Sequence, residues 1–156
     1  MDTNQFGKLG RGPMVKMAAP PLRGGPVIAR LMPPKSRMRL LCNLFGKHFI
    51  TVENLIYITA SRMCPNYEGG DWAFYELSNG GFYMVPLAAP DWFVVYAAKE
   101  YQGGMLANPA GMLITAMALN QLTYWRDGEL MAEMYYRLRD FINQQPEAAV
   151  LCNLLD

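Results

Sequence analysis

The stretch 71–86, DWAFYELSNGGFYMVP, decides the fold. Its first half, Asp71–Leu77, is dense in aromatic residues, which suit a pleated and half-buried surface. Trp72, Phe74 and Glu76 share one face of such a strand, and Ala73, Tyr75 and Leu77 the other. Ser78-Asn79-Gly80-Gly81 follows, and an Asn-Gly pair tolerates positive φ at both central positions of a hairpin turn. Gly81–Val85 is then the return strand. Beyond a loop bracketed by Pro86 and Pro90, Trp92–Ala97 (WFVVYA) reads as a third strand of the same meander. Three antiparallel strands with apolar residues on both faces need cover, and the flanking sequence supplies helices.

Upstream, Met38, Leu40, Leu41, Leu44 and Phe45 form a short apolar cluster that fits a strand or a helical turn. The next helix is clearer. Thr51 is its expected N-cap, Glu53 lies in the first turn, and Ile50 and Leu55 are placed to form a hydrophobic staple. Val52, Leu55, Ile56, Thr59 and Met63 trace one face at steps of three and four, and Pro65 ends the run. Downstream, a second helix is expected from Asn108, with Pro109 at its first helical position, to about Tyr124. It is almost free of charge and so the most buried. A third spans about Glu129–Asn143, with Glu133 and Arg137 spaced as a surface i,i+4 pair. Pro146 opens a last short helix ending near Leu155. The expected fold is α+β: one compact domain, an antiparallel sheet of at least three strands packed with three or four helices, and a flexible N-terminal extension.

That extension is the Pro/Gly-rich stretch 1–35, which lacks apolar periodicity. The remaining residues, 36–156, form the domain. With 156 residues, 52% hydrophobic and 17% charged, the chain fits one domain with a sizeable core. The most apolar stretch, Gly111–Leu119, is under half of the ~20 residues a bilayer span requires. Pro20, Pro21, Arg23 and Pro26 break up any signal-peptide core, so a cytoplasmic location is expected. Cys42, Cys64 and Cys152 form no CxxC and read as free thiols. Charge is asymmetric. Residues 1–50 carry nine Lys/Arg against Asp2, and residues 51–156 carry five basic and twelve acidic side chains. A basic arm of this kind can touch nucleic acid or simply be solvated, and an acidic body can meet a basic protein surface.

No chemistry-bearing pattern stands out. His48 is the only histidine, no G-x-S-x-G elbow exists, and Ser36, Ser61 and Ser78 lack supporting motifs. A hydrolase built on His48 or Cys42 has nothing else behind it. There is no HExxH, EF-hand or phosphate loop. Gly69-Gly70, Gly80-Gly81 and Gly103-Gly104 read as turns. Residues 67–101 hold ten aromatics, which suit core packing, a protein-binding patch or base stacking. Against stacking, Lys99 is the one base there beside Glu68, Asp71, Glu76, Asp91 and Glu100, a balance that repels phosphate.

Arg37-Met38-Arg39, the stretch FGKHF (Phe45–Phe49), and above all Tyr67–Trp72 with Tyr75–Met84 (YELSNGGFYM) resemble the ArdB/KlcA antirestriction family. Gly103-Gly104-Met105 and Asn108-Pro109-Ala110-Gly111 resemble it too, so the likeness covers residues 37–156. It implies a non-enzymatic protein that protects incoming plasmid or mobile-element DNA from type I restriction, without cofactor or metal. The candidate surface is the motif itself: Tyr67, Glu68, Asp71, Trp72, Tyr75, Glu76, Asn79, Gly80, Gly81 and Tyr83. Tyr75, Glu76, Asn79 and Gly80 either fix a hairpin or present a surface. The implied partner is the type I restriction complex or an associated host protein. DNA mimicry fits poorly, because duplex DNA carries one charge per ~1.7 Å of axis and the acids here are few and interspersed with apolar residues. The alternative is a small DNA-binding accessory protein that uses the basic arm.

Overall fold

In the computed structural model, which describes residues 25–88, 90–97 and 101–156, the chain runs β1 (Ala29–Leu31), α1 (Arg37–Phe45), α2 (Phe49–Met63), β2 (Trp72–Leu77), β3 (Phe82–Pro86), β4 (Trp92–Ala97), β5 (Tyr101–Leu106), α3 (Ala107–Leu122), α4 (Gly128–Ile142) and α5 (Ala148–Leu155). The hairpin stands where the aromatic run and the Asn-Gly turn put it. Phe74 lies opposite Met84 and Tyr75 opposite Tyr83. Gly80 has φ +90°, a conformation that costs glycine little and any other L residue strain. Both sheets are antiparallel and the helices cover them, in keeping with an α+β domain.

The strand Trp92–Ala97 does not extend the hairpin. It forms β4 of a separate two-stranded sheet, paired with β5. The third place in the hairpin's sheet is taken by β1, whose Arg30 lies opposite Glu76. Part of the stretch read as a flexible extension is therefore strand, and residues 1–24 lie outside the described residues. β4 cannot join β3 because the free edge of β3 is occupied by α3. There Thr115, fully buried, offers its hydroxyl to the Met84 N–H at 3.1 Å. α3 comes so close that a Cβ on Gly111 would sit 2.3 Å from the Met84 carbonyl oxygen. A helix side chain thus satisfies a backbone group that a further strand would otherwise pair.

Every residue of β3 is buried, so this strand is the centre of the core. α3 packs on it and also against α2 and α4. α3 is the most buried helix, as its lack of charge predicts. It starts one residue before Asn108 and ends at Leu122. Pro109 falls in its first turn, where a missing N–H costs no intrahelical bond. The apolar cluster 38–45 is helical: α1 buries Leu40, Leu41 and Phe45, and the Phe45 ring meets Phe82 edge-on at 5.3 Å. α2 begins at Phe49 rather than after Thr51, because a 3-10 turn over Gly46–His48 runs straight into it. Ile50 is consequently exposed and forms no staple, while Val52, Ile56, Thr59 and Met63 are buried as their spacing predicts. No helix among the described residues is long and apolar enough to cross a membrane.

Candidate functional site

The motif residues fall into two groups at opposite ends of the β2–β3 hairpin, joined by a stacked tyrosine pair. At the turn end, the Asn79 side-chain oxygen accepts from the Gly81 N–H at 3.0 Å, and its amide donates to the Arg137 carbonyl of α4 at 2.9 Å. Arg137 answers by donating to the Gly80 carbonyl at 3.2 Å while bonding Glu133. The spacing of Glu133 and Arg137 foretold their pairing. Its setting differs, because the Arg137 side chain is mostly buried under the turn instead of lying on the surface. Burial pulls the Arg137 guanidinium below its ordinary value, against the opposing pull of Glu133. Gly81 is buried, and a Cβ there would meet Arg137 at 2.9 Å. Asn79, Gly80 and Gly81 therefore clamp the hairpin to α4.

In the middle, Tyr75 and Tyr83 stack across the strands, centroids 5.0 Å apart and 9° from parallel. Tyr83 continues onto Phe141 at 5.6 Å and donates its hydroxyl proton to Asn108 Oδ1 at 2.9 Å. Burial pushes the Tyr83 phenol well above the usual tyrosine range. Glu76, partly exposed, accepts from the exposed Arg30 of β1 at 2.5 Å.

At the other end, Trp72 is buried. Its indole N–H donates to the Tyr67 hydroxyl at 3.0 Å, and it lies between the Tyr67 ring (5.6 Å) and the Tyr57 ring (5.4 Å). Glu68 and Asp71 are exposed beside it. Here a cleft of about 280 Å³ opens between α1, α2 and the start of β2, and Arg37, Glu53, Tyr57, Asp71, Trp72 and Phe74 contribute to its walls. The Arg37 guanidinium lies over the Phe74 ring at 5.1 Å. Its Nε is buried without a hydrogen-bond partner among the described residues. The Tyr57 hydroxyl donates to Glu53 Oε2 at 2.6 Å. Burial, and then Glu53, raise that phenol far above its ordinary value. Sequence reasoning missed Glu53 and Tyr57 as members of a site, although their i,i+4 spacing puts them on one helical face. Arg37 and Asp71 come from two of the segments that carry the family resemblance, and the cleft is where those segments meet.

The remaining reactive groups are dispersed. His48 Nε2 pairs with Asp127 Oδ2 at 2.7 Å, linking the turn before α2 to the turn before α4. Cys42 is exposed, and Cys64 is buried with its thiol pushed up to about 11. Among the described residues no three His, Cys, Asp or Glu side chains gather as a metal site.

Comparison with known proteins places these features. A family profile described as "Antirestriction protein" matches residues 65–156. The antirestriction protein KlcA of Escherichia coli is 32% identical over 138 residues, covering 84% of this chain and 94% of that protein. The putative antirestriction protein YubI of Escherichia coli K12 is 32% identical over 127 residues, covering 77% of this chain and 89% of that protein. A solved structure from work on KlcA and ArdB is 31% identical with a TM-score of 0.77, covering 87% of this chain and 99% of that chain. That work describes a novel fold, with antirestriction activity against type I DNA restriction systems in vivo but not in vitro.

Proposed function

The chain belongs to the antirestriction protein family, and from that premise we propose that it protects incoming plasmid or mobile-element DNA from type I restriction without catalysing a reaction. The observation that carries this reading is the structural match: a TM-score of 0.77 over 99% of a chain from the KlcA and ArdB work. The match runs over nearly the whole of that chain at 31% sequence identity. The motif residues support the same reading from below. Asn79, Gly80, Gly81 and Tyr83 hold the hairpin to α3 and α4, and among the described residues none of the motif side chains forms a nucleophile–base pair with a neighbour.

The mode of action we favour is recognition of a host protein, or an indirect effect on the restriction enzyme, in the cytoplasm. The described relatives act in vivo but not in vitro, which is the behaviour of a protein that needs a cellular component absent from the purified reaction. Occupation of the DNA site by a mimic would persist in a purified reaction. The test is transformation of a restricting host with unmodified plasmid bearing type I sites, with and without the protein. Recovery of transformants to the level of a modified plasmid supports the reading. No recovery with the protein present and folded overturns it and brings forward the alternative, a DNA-binding accessory protein acting through the basic arm.

A further inference from the structure

We propose that the cleft between α1, α2 and β2 binds an α-amino group together with its adjacent carbonyl, as presented by the amino terminus of a peptide or by a free amino acid. The argument is one of charge and size. One wall carries Arg37, whose buried Nε lacks an acceptor among the described residues and whose guanidinium rests on Phe74. Glu53 and Asp71 contribute carboxylates to the same cleft. A simple anion drawn to Arg37 meets two negative charges, and a simple cation drawn to Glu53 or Asp71 meets the guanidinium. A group with an ammonium and an oxygen acceptor a few bonds apart satisfies both. The ammonium pairs with the carboxylates, and the carbonyl oxygen accepts from Arg37.

Size points the same way. At about 280 Å³ the cleft is just smaller than the usual ligand pocket, which runs from roughly 300 to 1,000 Å³. That suits one residue and its main-chain groups. Met38 and Leu41 add apolar lining for a side chain such as methionine or leucine. Glu53 already accepts from Tyr57, which holds its carboxylate in place before any ligand arrives.

The experiment uses the full chain, labelled with nitrogen-15, and follows the Trp72 indole N–H and the Arg37 Nε–H by NMR. The probes are the tripeptide methionyl-alanyl-alanine, its N-acetylated form, free methionine, sodium acetate and ethylamine. The free-amino tripeptide is expected to shift both signals saturably, and the acetylated form to bind at least about tenfold more weakly, a loss of ~1.4 kcal/mol. Acetate and ethylamine, each carrying half of the pattern, produce no saturable shift. Free methionine binding as well as the tripeptide assigns the site to amino acids, and weaker binding assigns it to peptide termini. Asp71→Asn, at an exposed position, weakens the tripeptide by a similar factor, as does Arg37→Ala, with the unchanged remainder of each spectrum checking that the variant is folded. Equal binding of free and acetylated tripeptide, or no shift with either at millimolar concentration, overturns the proposal. The readout is binding alone, so its failure leaves the antirestriction reading untouched.

Discussion

The hydroxyl of Thr115, at the buried centre of α3, accepts the backbone N–H of Met84 in β3 at 3.1 Å. This one bond ends the sheet: it occupies an edge group of the central strand and fixes the helix that covers it. Thr115→Val keeps the shape and removes the acceptor, leaving a buried N–H unpaired at a cost of about 1–3 kcal/mol. At roughly 2–4 °C per kcal/mol for a chain of this size, the melting temperature falls by several degrees. Thr115→Ser retains most of the stability. Gly111→Ala forces a methyl group against the Met84 carbonyl and costs at least as much. Urea unfolding of the three variants checks the order.

The turn makes a second prediction. Gly80→Val places a branched side chain at φ +90° and drives its Cβ to within 2.7 Å of Arg137 Nη1. Backbone strain alone costs about 1–3 kcal/mol. Asn79→Ala removes two hydrogen bonds and costs about 1–3 kcal/mol. Thermal melts followed by circular dichroism should show both losses, and an unchanged melt for Gly80→Val would refute the turn assignment.

Alkaline pH gives a third. Tyr57 and Tyr83 both have phenols raised in the folded state, chiefly by burial. Protons bound more tightly in the folded chain stabilise it fully below the ordinary tyrosine value of ~10, and that contribution is lost as pH rises beyond it. Spectrophotometric titration should show these two phenols ionising only as the protein unfolds, with Tyr83→Phe removing one late step.

Thiol reactivity separates the cysteines. Cys42 is exposed and should react first with a disulfide reagent at neutral pH. Cys152, partly exposed and donating to Asn143 Oδ1 at 3.1 Å, follows. Cys64 is buried with a thiol raised to about 11 and should react only after denaturant is added. Rapid labelling of Cys64 in the folded chain would contradict its burial.

Legibility in the sequence followed how local each signal was. The β2–β3 hairpin, the end of α2 and the buried nature of α3 were readable, because aromatic density, Asn79-Gly80, Pro65 and an uncharged run act within a few residues. β1 was not. Ala29-Arg30-Leu31 is three residues between prolines, and pairing with Leu77, Glu76 and Tyr75 makes it a strand. β5 hid behind Gly103 and Gly104, which read as a turn yet sit opposite Val95 and Val94, with the Trp92 indole against the space a Gly104 side chain would fill. The partner of β4 was misread for the same reason: strand choice depends on Thr115 closing the β3 edge from residues far along the chain. In the candidate site, Trp72 and Asp71 were visible in the motif, whereas Glu53 and Tyr57 gain their meaning only when α2 lies beside β2.

The most direct test of the central claim is the plating efficiency of unmodified phage on a host with an active type I restriction system, with and without the chain. Soluble protein is verified in the same cells, and a host lacking the restriction enzyme serves as the control. The account predicts plating restored toward the level of the control host, with no effect of the protein in the control itself. Unchanged restriction in the presence of soluble, folded protein would contradict it.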